Sequence, residues 1–210
     1  MCMNDNTFSV PHQIGILGGT FQPIHLGHMD MALSALSVLN LDEVLLMPDR
    51  IPPHKDLPEG ATDAQRLEMI RLSAQKYNGL TVSDMELMRP GKSYTADTLE
   101  YFAKQYPDDA LFFILGTDMF LTIQDWYQPE RIFRAATLAV VARGYDDAPL
   151  IRQQKNRLTE AGARVMIVPS EPLVVSSTQL RARMNAPDLR NYLPIKVREY
   201  IMREHLYGTK

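Results

Sequence analysis

Six short runs of apolar residues, separated by stretches with helical periodicity, constrain this chain more than any other feature. They are residues 13–19 (QIGILGG), 42–48 (DEVLLMP), 80–87 (LTVSDMEL), 110–116 (ALFFILG), 137–143 (TLAVVAR) and 164–169 (RVMIVP). Most are apolar throughout rather than alternating, and this marks strands buried on both faces. Between them lie segments with apolar residues three and four apart. In residues 28–40, Met29, Ala32, Leu33, Leu36 and Leu39 share one helical face. In residues 64–77, Leu67, Ile70 and Ala74 are the expected inner positions, with Thr62 or Asp63 as the cap. Further helices are expected over 93–107, opened by Ser and Thr caps, and over 129–136 with Pro129 at its first position. Others are expected over 148–162, 176–184 and 194–208. Strand and helix in regular succession predict an α/β fold: a doubly wound parallel sheet, Rossmann-like, in one domain spanning residues 1–210, with 1–12 as a flexible N-terminus. In such sheets a ligand sits beyond the carboxyl ends of the strands, where the strand order reverses. The residues to examine are therefore those that follow the strands.

Composition narrows the partners. A net charge of −3 provides no broad basic field, so a polynucleotide partner is not expected; a small anion needs only a local positive site. The single cysteine, Cys2, excludes an internal disulfide framework and a cysteine-rich zinc site, and cytosol is the expected compartment. No secretory signal, lipidation motif or membrane-length apolar run is read in the sequence, so no membrane association is expected.

The first strand runs into GGTFQPIHLGH, residues 18–28. Gly18 and Gly19 permit a tight turn and a close approach of ligand to backbone. The pattern is neither G-x-G-x-x-G nor a P-loop, so a dehydrogenase or P-loop kinase site is poorly supported. A strand, a glycine turn and a helix start still present backbone N–H groups suited to phosphate. His25 and His28 fall three apart near that helix start and can face one side. Taken singly, each is an ordinary surface histidine. A metal pair is a second reading, but no third ligand stands at zinc spacing. As a pair after the glycine turn, they suit hydrogen bonding to phosphoryl oxygens.

GGTFQPIHLGH resembles the signature of the HxGH nucleotidylyltransferase superfamily. Residues 176–181, SSTQLR, resemble that superfamily's C-terminal motif. The two lie in the right order, each between a strand and a helix. Residues 48–55 (PDRIPPHK), 93–99 (SYTADTL), 116–120 (GTDMF) and the pair Trp126-Tyr127 resemble the nicotinate-mononucleotide adenylyltransferase branch. The resemblance implies transfer of the adenylyl group of ATP to nicotinate mononucleotide, giving deamido-NAD and pyrophosphate. It implies Mg²⁺ carried mainly on the ATP phosphates, with no dedicated protein metal ligands, and a monomer or homodimer. The nucleophile is a phosphate that is already anionic, so alignment and charge neutralisation suffice. A phosphopantetheine-type adenylyltransferase would not explain the 93–99 segment and Trp126. A non-catalytic nucleotide sensor would not explain both histidines with Arg181.

The same resemblance implies roles for particular residues. His25, His28, Arg181 and Lys55 would act on the reacting phosphates. Gly18, Gly19 and Thr20 would line the ATP turn, and Gly116 and Asp118 would meet the adenosine end. Ser177 and Thr178 would cap their helix while donating to the β- and γ-phosphates. Thr95 and the backbone of Tyr127 would hold the nicotinate carboxylate, Trp126 would stack on the pyridine ring, and Arg143 would serve the mononucleotide phosphate. For Trp126 the alternative is core packing; for Asp118, a helix cap; for Lys55 and Arg143, ordinary surface roles. Two departures stand out. Gln22 occupies a position that usually carries Asp, and Arg143-Gly144-Tyr145 replaces the usual R-P-G.

Overall fold

The computed structural model describes residues 11–53, 60–142, 148–170, 173 and 175–209, apart from the side chains of 189 and 190. Among these, six parallel strands form one sheet in the order 3-2-1-4-5-6. They are β1 (Gln13–Gly19), β2 (Glu43–Pro48), β3 (Leu80–Val82), β4 (Ala110–Gly116), β5 (Thr137–Val141) and β6 (Val165–Val168). The order reverses between β1 and β4, which pair directly, so the expected doubly wound topology is found with its switch point at β1.

The intervening helices are α1 (Leu26–Val38), α2 (Asp63–Ala74), α3 (Met85–Met88), α4 (Thr95–Gln105), α5 (Thr117–Phe120), α6 (Pro129–Ala135), α7 (Ala148–Glu160), α8 (Ser177–Ala182) and α9 (Ile195–Arg203). Apolar side chains gather into two clusters, one on each face of the sheet. The first includes Met29 and Ala32 of α1, Met69 and Ile70 of α2, and Val197 and Ile201 of α9. The second includes Leu99 and Phe102 of α4, Ile132 and Phe133 of α6, and Ile151 and Leu158 of α7. Burying each large apolar side chain contributes roughly 1.5–3 kcal/mol, and two-sided burial is why the central strands β4 and β5 are almost wholly apolar, whereas edge strand β6 leaves Met166 and Ile167 exposed.

Local differences from the sequence reading have physical causes. The run 80–87 pairs only over Leu80–Val82; α3 begins at Met85, so its second half is a helical turn and not strand. In α1, Ala35 is buried, while Leu33 and Leu36 are only partly buried against the same cluster. Small residues bring the helix axis close to the sheet, and the leucines pack at its flanks. Thr62 caps α2: its hydroxyl accepts from the Gln65 N–H at 3.3 Å, and the Gln65 side chain accepts from the Thr62 N–H at 2.9 Å. The start of α4 has no such cap. Tyr94 occupies the N-cap position, and the Ser93 hydroxyl instead accepts from the Arg50 N–H at 3.0 Å. No helix among the described residues is long and apolar enough to cross a membrane.

Candidate active site

The carboxyl ends of β1, β2 and β4 open into a cavity of about 670 Å³. One end of it is the turn between β1 and α1. Gly18 and Gly19 belong to the strand itself, and neither takes a positive φ; the turn is made by Phe21, at φ 46°. The glycine pair therefore does not supply the turn expected of it. Gly18 instead leaves open space, with nothing within 4 Å of where a Cβ would stand. Phe21 is buried and lies edge-on to the His28 ring, with centroids 4.9 Å apart.

His25 is the N-cap residue of α1, and His28 lies one turn inside. Their rings stack, with centroids 3.6 Å apart and planes inclined by 23°. The His25 backbone N–H donates to His28 Nδ1 at 3.3 Å. An accepting Nδ1 leaves Nε2 as the proton-bearing nitrogen of the neutral ring. Gly27 has a packing reason. A Cβ there would stand 2.9 Å from the Leu173 carbonyl oxygen and 3.2 Å from both His25 Nδ1 and Val175. The glycine lets the segment before α8 lie against the histidine turn.

The two signature segments are joined by direct hydrogen bonds. Arg181 Nη1 donates to the Gln22 carbonyl at 2.7 Å, and Ser177 Oγ donates to the Pro23 carbonyl at 3.0 Å. Arg181 Nη2 also reaches Thr178 Oγ1 at 3.2 Å. A guanidinium has five N–H donors, so others remain for a ligand. The cap of α8 is Ser176, whose hydroxyl accepts from the Gln179 N–H at 3.2 Å; Ser177 and Thr178 lie inside the helix, which corrects the expected capping pair. Gln22 is 1% exposed. Its contact with Arg181 is made by the backbone carbonyl, which aspartate would supply equally well. Its side chain packs beside Gly60: a Cβ at that glycine, whose φ is +151°, would stand 3.0 Å from Gln22 Nε2 and 2.7 Å from the Tyr207 ring.

Just beyond β4 the cavity is lined by Gly116 and Asp118, and on the side of the second apolar cluster by Thr95 of α4 and by Trp126. Trp126 is half-buried and lies edge-on to Phe113, with centroids 6.1 Å apart, so it touches core and cavity together. Tyr127 is exposed, does not line the cavity, and packs its ring against Tyr94 at 4.3 Å. Asp118 sits in the first turn of α5, whose N-cap position is held by Gly116. Thr20 also lines the cavity, and its hydroxyl donates to Asp49 Oδ2 at 3.3 Å. Lys55 and Arg143 lie outside the described residues.

Two further charged groups had no signal in the periodicity. Arg66 of α2 is fully buried, and its guanidinium donates to the Thr20 carbonyl at 2.7 Å, the Asp49 carbonyl at 2.6 Å and Asp63 Oδ1 at 2.8 Å. It ties the exits of β1 and β2 together behind the cavity. Glu86 of α3 is 7% exposed and lines the cavity. Burial pushes its carboxyl above the ordinary value, against the hydrogen bond from Thr98 and the charge of Arg89.

Comparison with known proteins agrees with this architecture. The cytidylyltransferase-like family profile matches residues 16–183, from β1 to the end of α8. A probable nicotinate-nucleotide adenylyltransferase of Synechococcus sp. (strain JA-3-3Ab) is 39% identical over 198 residues, covering 93% of this chain and 94% of the relative. One of Listeria monocytogenes serotype 4b (strain F2365) is 35% identical over 199 residues, covering 95% and 99%. The solved structure of Plasmodium falciparum nicotinic acid mononucleotide adenylyltransferase complexed with NaAD superposes with a TM-score of 0.74 at 22% identity, over 95% of this chain and 98% of that one, and shares its fold. The chain belongs to the cytidylyltransferase-like family and, within it, to the nicotinate-nucleotide adenylyltransferases.

Proposed function

We propose that this protein transfers the adenylyl group of ATP to nicotinate mononucleotide, producing deamido-NAD and pyrophosphate in NAD biosynthesis. The observation that carries the proposal is the meeting of two distant segments on one cavity. Residues 18–28 and 176–181 are joined by the Arg181–Gln22 and Ser177–Pro23 hydrogen bonds, opposite a wall bearing Thr95 and Trp126.

In the reaction an oxygen of the mononucleotide phosphate attacks the α-phosphorus of ATP. The new P–O–P bond forms as the bond to the β-phosphate oxygen breaks, and pyrophosphate leaves with that electron pair. No proton must be removed from the nucleophile, so no general base is required. The protein's task is alignment and stabilisation of charge on the phosphoryl oxygens. His28 Nε2 and His25 are the donors at the α-phosphate. Arg181, Ser177 and Thr178 serve the β- and γ-phosphates from the start of α8. Gly18, Gly19 and Thr20 border the path of the triphosphate, where the open space at Gly18 admits it. Gly116 and Asp118 take the adenosine end. Thr95 and Trp126, which line the cavity, receive the pyridine ring and its carboxylate; the Tyr127 backbone is assigned to the carboxylate by resemblance alone. Lys55 and Arg143 are assigned to the reacting phosphate and the mononucleotide phosphate by resemblance.

Among the described residues no three His, Cys, Asp or Glu side chains gather as a metal cage. Mg²⁺ is assigned to the substrate side by resemblance, arriving on the ATP phosphates with its waters.

The test is product identity. Purified protein given Mg-ATP and nicotinate mononucleotide should form deamido-NAD and pyrophosphate in equal amounts, and neither when the mononucleotide is omitted. Pyrophosphate without the dinucleotide product would overturn the proposal.

A further inference from the structure

We infer that Glu86 is a positioning residue for the mononucleotide: through Thr98 and Arg89 it fixes the loop and helix start that present Thr95 to the cavity. This rests on the substrate reading above and extends it to a residue to which that reading gives no role.

Thr98 Oγ1 donates to Glu86 Oε1 at 2.5 Å, and Arg89 Nη2 donates to Thr98 Oγ1 at 2.8 Å while standing 3.8 Å from the same carboxylate oxygen. Thr98 lies in the first turn of α4, three residues after Thr95, so its position along the helix fixes that of Thr95. The loop between α3 and α4 is held from its other side too. Arg50 Nη1 donates to the Arg89 carbonyl at 3.3 Å, and the Ser93 N–H donates to the Ile51 carbonyl at 2.9 Å. Glu86 is thus the acceptor at the centre of a web that ends on the cavity wall.

Stability alone accounts poorly for such a group. Burying a carboxylate costs solvation, and a well-packed apolar substitute is often neutral or stabilising. What a hydrogen-bonded buried acid provides is direction. The α4 start lacks a side-chain cap, so its geometry depends on contacts from outside the helix. Glu86 also lines the cavity together with Ser93, Thr95 and Thr98. Loss of its hydrogen bonds would be felt at the mononucleotide end and not at the histidine turn.

The experiment measures KM for each substrate and kcat in Glu86→Ala and Glu86→Gln, with the thermal midpoint of each variant. Glu86→Ala should raise KM for nicotinate mononucleotide about tenfold, as expected from loss of one hydrogen bond to a charged group. KM for ATP should stay within about twofold, since that end does not depend on the web. Glu86→Gln keeps an oxygen that accepts from Thr98, and it should recover most of the loss. Parallel increases in both KM values that track a lowered midpoint would overturn the inference, as would an unchanged mononucleotide KM. If Glu86→Ala does not fold, Thr98→Val removes the same hydrogen bond and should give the same split. Wild-type protein that does not use nicotinate mononucleotide overturns the substrate reading; active wild type with variants that match it overturns only the role of Glu86.

Discussion

The two ends of the cavity are built on different principles. At the histidine end, side chains from one segment bind main-chain carbonyls of another: Arg181 and Ser177 hold the carbonyls of Gln22 and Pro23. At the Trp126 end, support comes from side chains meeting side chains: Thr98 and Arg89 on Glu86, Trp126 on Phe113, Tyr94 on Tyr127. Main-chain acceptors survive changes of side chain, and for this reason Gln22 can stand where Asp is usual without loosening the link to Arg181. Side-chain networks do not share that tolerance, because each member depends on the next. The histidine end should therefore lose chemistry when mutated, and the Trp126 end should lose selectivity and affinity.

The largest effect should come from the histidine end. His28→Ala should lower kcat by about 10²–10³-fold, the usual loss on removing one preorganised donor to a developing oxyanion, with the thermal midpoint little changed. Near-wild-type turnover would break the comparison at its strongest point. Behind the shared wall, Arg66→Met should destabilise the fold by about 3 kcal/mol in denaturant unfolding. It leaves two buried carbonyls and the Asp49 carboxylate without their guanidinium. At the other end, Trp126→Ala should raise KM for the mononucleotide by about tenfold with a smaller change in kcat. A variant that unfolds instead would assign Trp126 to the core beside Phe113. The smallest effect is expected at the exposed cap of α2. Thr62→Ala removes the cap of α2 and should cost about 1 kcal/mol of stability without altering either KM.

How much of this was legible in the sequence follows from what each signal measures. Apolar runs located all six strands, although the edge strands β3 and β6 are not buried on both faces; the second half of 80–87 was misassigned, because a strand of three residues leads within two residues into a helical turn. The family resemblance of GGTFQPIHLGH and SSTQLR marked both halves of the histidine end, although they are remote in the chain. Two details were misplaced. Phe21, and not the glycine pair, takes the left-handed conformation, and Ser176 caps α8 ahead of Ser177. Those outcomes depend on tertiary packing, which pattern alone does not carry. Arg66 and Glu86 were invisible for a sharper reason. Hydrophobic periodicity assigns charged residues to solvent, whereas these two are buried because their partners come from other elements: the carbonyls of Thr20 and Asp49, and the hydroxyl of Thr98.

The central claim is that one end of this cavity serves the triphosphate and the other a nicotinate carboxylate. It is tested most directly by comparing initial rates of pyrophosphate release from Mg-ATP with nicotinate mononucleotide and with its nicotinamide counterpart, at equal subsaturating concentrations. On the proposed assignment of Thr95 and the Tyr127 backbone to the carboxylate, N–H donors would match the acid and leave a carboxamide less well paired. The account predicts rapid release with the acid and much slower release with the amide. Equal rates on the two, or release with neither, would contradict it.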